Sequence, residues 1–394
     1  MTTSTGTPTS TPSPSPSARA TWTPVLALTA GITMLVSSEF LPAGVLPGLA
    51  ADLGVTEGTA GLAVAATAVA GFLTAPTIAV VLPRADRRTV LVALLVIGAV
   101  ANLIVAVAPA FAVLLVGRLL LGVAVAGYWA FAFAAGIRAV PGRAATVSTT
   151  LALGVSIATI AGVPLGSLLG DLFGWRLVFG VAAALTAASA AAVWFAMPSV
   201  PAQPGAGLTM LRQALTNRRL LLGIASLLVV VLGNFAAYPF IRLAIERVDA
   251  SVVPLLLLLW GVGGLAGNLV AGSLSRRLRL ATTLGPALFG LALATLAGAG
   301  AGSLWVVVPA VILWGFGMNM VPVATQLWVT TAEPRRTESA LALQVTAFQA
   351  AITLGAVLGG RLLDGAGLTP VLLTGAVLAI AGSAGFACLR GRPA

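Results

Sequence analysis

One recurrence limits what this chain can fold into. Stretches of about twenty apolar residues return from Trp22 to Leu389, parted by short polar turns. At about 1.5 Å per residue, each stretch is long enough as a helix to cross about 30 Å of hydrocarbon. Hydrocarbon offers backbone N–H and C=O groups no partner, so a spanning segment is either an α-helix or a strand of a closed barrel. These runs are continuous rather than alternating, which selects helices. Charged residues make up 8% of the 394, against about a quarter in soluble domains.

Spans are expected near 23–46, 59–82, 89–108, 111–133, 146–169, 176–196, 219–240, 252–274, 281–300, 304–328, 339–362 and 370–389. Arginine placement orients them. With the N-terminus inside, the inner segments hold sixteen of the 21 arginines and the outer loops hold four: Arg176, Arg242, Arg247 and Arg361. The remaining one, Arg118, lies within a span. Both termini are therefore expected in the cytoplasm, and the protein in a bacterial inner membrane. The formal charge of +11 sits in short loops and reads as topological charge, not as a nucleic-acid surface.

Every basic residue is Arg, there is no His, and Cys388 is the single cysteine. An intrachain disulfide, a Cys- or His-based metal site and His acid–base chemistry are all excluded. No nucleophile–base or metal constellation is present, so an enzyme is not expected, and no cofactor is called for. Residues 1–22, rich in Ser, Thr and Pro, are expected to form a disordered cytoplasmic tail. They lack the basic start and cleavage site of a secretory signal. Residues 197–218 carry Pro198, Pro201, Pro204, Gly205 and Gly207 and read as a cytoplasmic linker between halves 23–196 and 219–389, with 390–394 a short tail.

The second half overlays the first at a constant offset of 193. Gly71 meets Gly264, Arg84 meets Arg277, Gly122 meets Gly315, Asp171 meets Asp364 and Gly174 meets Gly367. Gly162 and Gly166 meet Gly355 and Gly359. Six spans per half is an even number, so the two copies share one membrane orientation. Two parallel-repeat six-helix halves follow, an all-α integral membrane fold.

Several segments carry more than hydropathy. Leu82 to Arg88 reads Leu-Pro-Arg-Ala-Asp-Arg-Arg, in which Asp86 is the one acid and Arg84, Arg87 and Arg88 are able to pair with acids or helix-end carbonyls. The same arginines would serve as plain positive-inside charge. Arg118 opens Arg118-Leu119-Leu120-Leu121-Gly122, and an arginine inside a membrane is a functional signal by default. Glu39 is the only acid inside a span. It lies about 12 Å from the outer end at 1.5 Å per residue, and Arg118 has a similar depth. An ion pair or a competing-charge arrangement is open to them, as is a static or substrate-binding glutamate. Gly154 to Gly166 is rich in small residues and holds Pro164, which suits close helix packing and a kink.

These features together resemble the major facilitator superfamily. Leu82–Arg88 resembles its cytoplasmic loop signature, with Ala79, Pro83 and Asp86 standing where the family has Gly, an acid and a second Gly. The resemblance implies a charge clamp there. It implies a proton-coupling role for Arg118 with Gly122. It implies an antiporter motif at Gly162, Pro164 and Gly166, continued by Gly170-Asp171-Leu172-Phe173-Gly174-Trp175-Arg176. Glu39-Phe40 with Leu46-Pro47 and Asp52-Leu53-Gly54 is similar to the start of chloramphenicol- and arabinose-efflux permeases. The implied branch is the twelve-span drug:proton antiporters, of the multidrug and antibiotic resistance kind. Cavity-facing candidates are then Tyr128 and Trp129, Asn234 and Tyr238, Trp314, Asn319 and Gln326, and Gln349; Trp260 reads as packing. Apolar walls with few polar anchors suit a drug-like molecule, with sugar or nucleoside export, import, or a non-transporting sensor as alternatives. Expected partners are the small-molecule substrate, protons and the bilayer, around a monomer.

Overall fold

A computed structural model describes residues 22–82, 84–141, 143–201, 216–299, 303–334 and 337–389. The expected tails, except Trp22, lie outside the described residues, as do Pro83 and positions 202–215 of the linker.

The apolar runs are helices throughout. The first half comprises α1 (Thr23–Leu53), the single turn α2 (Glu57–Ala60), α3 (Leu62–Val81), α4 (Arg87–Ala106), α5 (Phe111–Ala139), α6 (Ala144–Ile157), α7 (Val163–Phe173) and α8 (Trp175–Ala196). A π-helical turn, Ala158–Gly162, joins α6 to α7. The second half comprises α9 (Arg218–Ala237), α10 (Ile241–Glu246), α11 (Val253–Ser273), α12 (Leu278–Gly298), α13 (Leu304–Ala332), α14 (Thr337–Ala366) and α15 (Leu368–Cys388). Among the described residues, eleven stretches are long and apolar enough to cross a membrane. The longest, Ala250–Gly298, holds both α11 and α12 joined by a 3-10 turn at Leu274–Arg277, which is consistent with twelve crossings.

The 193-residue repeat is written into the backbone. Helices α5 and α13 begin at Phe111 and Leu304 and end at Ala139 and Ala332. Gly174 and Gly367 join α7 to α8 and α14 to α15 with φ of 85° and 83°, a left-handed region that only glycine enters freely. A Cβ on Gly122 would press on the Thr67 carbonyl, and one on Gly315 on the Trp260 carbonyl. Both members of each pair are 193 apart, so α5 lies on α3 as α13 lies on α11. Alanine at Gly122 or Gly315 is expected to destabilise the protein by about 1–3 kcal/mol through overpacking. Thermal unfolding of the purified variants checks this, and unchanged midpoints for both would show that the close approach is not needed.

The first span departs from its expected end. Helix α1 runs through Pro42 and Pro47 to Leu53, with a kink at Val45 (φ −121°, ψ 16°). Proline is tolerated inside a membrane helix when other groups take up the carbonyls it strands, and Arg118 does so for Pro42 here. The halves meet along two seams, α3 against α14 and the α6–α7 rod against α11. On the second seam Gly261 lies against the backbone of Thr159 and Ile160 in the π turn.

Candidate functional site

The site begins with a proline. Pro42 has no N–H, so the Ser38 carbonyl one turn earlier loses its helical partner. Arg118, fully buried on α5, supplies a replacement. Its Nη1 donates to the Ser38 carbonyl at 2.7 Å, its Nη2 to the Glu39 carbonyl at 2.5 Å, and its Nε to the Ala63 carbonyl of α3 at 2.9 Å. One guanidinium therefore staples the kinked stretch of α1 to the start of α3. Asn102 on α4 adds a bond from Nδ2 to Ser38 Oγ at 2.8 Å.

Similar depth along the membrane had left a Glu39–Arg118 ion pair open. The arginine instead bonds the main-chain oxygen of Glu39. The Glu39 carboxylate makes no hydrogen bond or ion pair among the described residues, although Arg118 lies near enough to act on it through space. Glu39 is only 7% exposed. A carboxyl group so placed has no hydrogen bond to break when it takes up a proton.

Beside Glu39 an aromatic cluster crosses between the halves. The Phe40 ring lies 5.5 Å from Tyr238, edge on, and 6.2 Å from Phe235, stacked. Phe235 meets Phe348 at 6.2 Å, and Tyr238 meets Trp260 at 5.1 Å and Trp314 at 6.5 Å. Tyr238 heads the 3-10 turn that separates α9 from α10; the following Pro239 cannot donate to the Phe235 carbonyl. Trp314 Nε1 donates to Asn234 Oδ1 at 2.8 Å, and both side chains are buried. Trp260 Nε1 is buried with no partner among the described residues. Its repeat counterpart is Thr67, whose hydroxyl donates back to the Ala63 carbonyl at 3.4 Å. The shared backbone frame does not require an indole there, and that mismatch between repeats is the signal the sequence carried.

The other expected contacts are dispersed. Tyr128 is buried within the first half, its hydroxyl on the Leu28 carbonyl at 3.1 Å. Trp129 and Gln326 are exposed. Asn319 donates to the Gly315 carbonyl at 2.9 Å and lies against Gly264. Gln349 faces Gly71 across the α3–α14 seam.

Two aspartates close one end of the bundle. Asp171 accepts from Arg242 Nη2 at 2.6 Å. Arg242, on α10, also donates to the Gly44 carbonyl at 2.7 Å, just before the α1 kink, to Ser167 Oγ at 2.9 Å and to Glu246 at 2.6 Å. Asp364, on α14, accepts from Thr56 Oγ1 at 2.7 Å and from the Gly58 amide at 3.1 Å. Asp171 and Asp364 are repeat counterparts, and each reaches into the opposite half. Below this latch, Gly162 lies against Ser37, Gly166 against Leu41 and Gly170 against Val45, so the small-residue face of α7 follows the kinked part of α1. Pro164 is buried in the first turn of α7.

At the other end, the Arg84–Arg88 loop is occupied by backbone. Arg84 is exposed. Arg87 donates from Nη1 to the Leu82 carbonyl at 3.0 Å and from its amide to the Val200 carbonyl at 2.9 Å, with its guanidinium 4.3 Å from the Phe131 ring centre. Arg88 sits 4.3 Å over Trp194. Asp86 caps α4 by accepting from the Thr89 amide at 3.1 Å, and it accepts from Ser199 Oγ at 2.6 Å. Burial pushes the Asp86 carboxyl up, but the hydrogen bonds from Ser199 and from backbone amides outweigh it and hold the group below the usual carboxylate range. Among the described residues Arg87 holds the Leu82 carbonyl, Arg87 and Arg88 each face an aromatic ring, and no ion pair forms a carboxylate clamp.

The Major Facilitator Superfamily model matches residues 26–356. The purine ribonucleoside efflux pump NepI of Salmonella paratyphi B (strain ATCC BAA-1250 / SPB7) is 32% identical over 367 residues, 92% of each chain. The protein of the same name from Salmonella typhimurium (strain LT2) matches at the same identity and coverage. A bacterial homolog of the human lysosomal transporter Spinster, solved inward-facing and unoccupied, superposes with a TM-score of 0.77 at 15% identity. That overlay covers 96% of this chain and 100% of the other, and at such identity it speaks to the fold alone.

Proposed function

The chain belongs to the major facilitator superfamily, and from that premise we propose that it exports a nucleoside-like small molecule across the bacterial cytoplasmic membrane by proton-coupled alternating access. The observation that carries this reading is the unpartnered Glu39 carboxylate, buried where the aromatic cluster bridges the halves. A purine offers flat faces and ring nitrogens. Aromatic rings with an unsatisfied indole donor complement both. The relatives named for purine ribonucleoside efflux favour this substrate over the drug-like one that the apolar spans suggest. A drug-like cation is the second reading, favoured by the same apolar wall beside a lone carboxylate.

In this mechanism the two halves rock about the seams. The arginine-rich end faces the cytoplasm, so the Asp171–Arg242 and Asp364–Thr56 latch closes the outer side. Opening outward breaks that latch. Glu39 then takes a proton from outside as substrate leaves, and releases it inside before new substrate binds. Arg118 holds the α1 kink through both states and keeps a positive charge near the titrating carboxyl. The 197–218 linker would join halves that move as units.

Everted vesicles carrying the protein test the reading. A proton gradient, acidic inside, should drive uptake of radiolabelled inosine or guanosine, and a drug panel should not compete. Competition by antibiotics but not by nucleosides would favour the second reading. Trp260→Phe keeps an aromatic ring and removes the orphan donor. It is expected to raise the half-saturating nucleoside concentration about tenfold, one hydrogen bond's worth, while the thermal midpoint falls only by what the smaller buried ring costs. Unchanged saturation would remove Trp260 from the site.

A further inference from the structure

We propose that a cavity of about 660 Å³ at the arginine-rich end of the second half binds the phosphate headgroup of an anionic phospholipid. The cavity lies between the start of α9, the α11–α12 turn, and the ends of α13 and α15. Among the described residues, Arg219, Arg276, Arg277 and Arg279 line it and no carboxylate does. Arg276 and Arg277 make no hydrogen bond or ion pair among the described residues, and Arg219 Nε is buried without a partner. Arg279 spends one nitrogen on the Ala387 carbonyl at 2.7 Å. Arg276, Arg277 and Arg279 are exposed, and four like charges around one solvent-facing space favour a counter-anion between them.

The repeat shows what is missing. In the first half, the counterpart of Arg277 is Arg84, and the counterpart of Arg279 is Asp86. There the acid caps α4, and the stretch Ser199–Val200 closes over the loop. In the second half the acid has become an arginine, so that copy of the loop holds the positive charge without the negative one. Glu333, at the end of α13, accepts from Asn217 at 2.9 Å and does not line the cavity.

The remaining walls say which kind of anion. Trp328 and Phe386, edge to face at 5.8 Å, together with Leu278, Leu280 and Leu389, give the cavity an apolar side at the helix ends. Leu280 is exposed. A free phosphate would satisfy the arginines and leave that side unfilled, whereas a phospholipid fits both. Basic pockets between helix ends on the cytoplasmic side are suited to such headgroups. The site stands apart from the transport site, so the test below does not depend on the substrate.

Purified protein in phosphatidylcholine nanodiscs is titrated with phosphatidylglycerol. Bound lipid is counted by native mass spectrometry and stability followed by the thermal midpoint. Wild type should retain phosphatidylglycerol and melt higher with it. Arg276→Gln with Arg277→Gln should weaken retention about twenty-five-fold, roughly fivefold per arginine. Arg138→Gln with Arg143→Gln removes equal charge from the first half at the same end and should retain the lipid. The double lysine variant of Arg276 and Arg277 keeps the charge and should also retain it, which separates binding from folding. Equal retention by the two glutamine pairs, or none by wild type, overturns the proposal. Equal stabilisation by inorganic phosphate alone overturns the lipid as the ligand.

Discussion

Arg118→Ala is expected to destabilise the protein by roughly 3–5 kcal/mol, the usual loss when one member of a buried charged network is removed. The guanidinium satisfies three main-chain carbonyls, those of Ser38, Glu39 and Ala63, on two other helices. The Ser38 carbonyl has no other helical donor, because residue 42 is proline. Removing the arginine strands that oxygen in a buried site and leaves Glu39 without its neighbouring cation. Lysine carries the charge on a single nitrogen and cannot span three acceptors in a plane, so Arg118→Lys should fall between alanine and wild type. Thermal unfolding in mild detergent reads the series. If alanine melts with wild type, the staple is not what holds the kink. Pro42→Ala offers the complementary check: with the Ser38 carbonyl repaid by its own helix, loss of Arg118 should cost less in that background.

Glu39→Gln should have the opposite signature. Glu39 is buried and its carboxylate has no hydrogen-bond partner among the described residues; glutamine has nearly the same shape, so stability should fall far less than in Arg118→Ala. Proton-driven export should drop to the level of vesicles without the protein, because the amide cannot titrate. Substrate exchange down its own gradient should survive, since neither the aromatic cluster nor the latch is touched. Measuring both fluxes in one vesicle preparation separates loss of coupling from loss of transport. Export that still follows the proton gradient in Glu39→Gln would rule this residue out as the coupling group.

Much of the architecture was legible without coordinates. Hydropathy alone demands helices, and a constant offset of 193 aligned Gly122 with Gly315 and Asp171 with Asp364. The glycine pair returns as equivalent close helix contacts, and the aspartate pair as two cross-half hydrogen-bonded links. Spacing along a chain reports depth in a membrane, because each helical residue advances about 1.5 Å. It is nearly silent on which way a side chain faces, since that depends on how neighbouring helices rotate and tilt. Glu39 and Arg118 were therefore placed at one level but not joined. Only the packed helices show the arginine turning to the backbone that Pro42 leaves bare.

The same limit explains the aromatic residues. Asn234 and Trp314 stood as separate candidates, and the fold pairs them with each other. Trp260 reads as packing in the sequence, and in the fold its indole N–H has no partner among the described residues, beside Tyr238. By itself, then, the sequence determined a helical membrane protein built as a parallel repeat, because solvent chemistry and periodicity act residue by residue. Tertiary structure alone decided which carbonyls Arg118 holds and which carboxylate stays free among the described residues. Those are facts about partners on different helices, and no segment of the chain contains them.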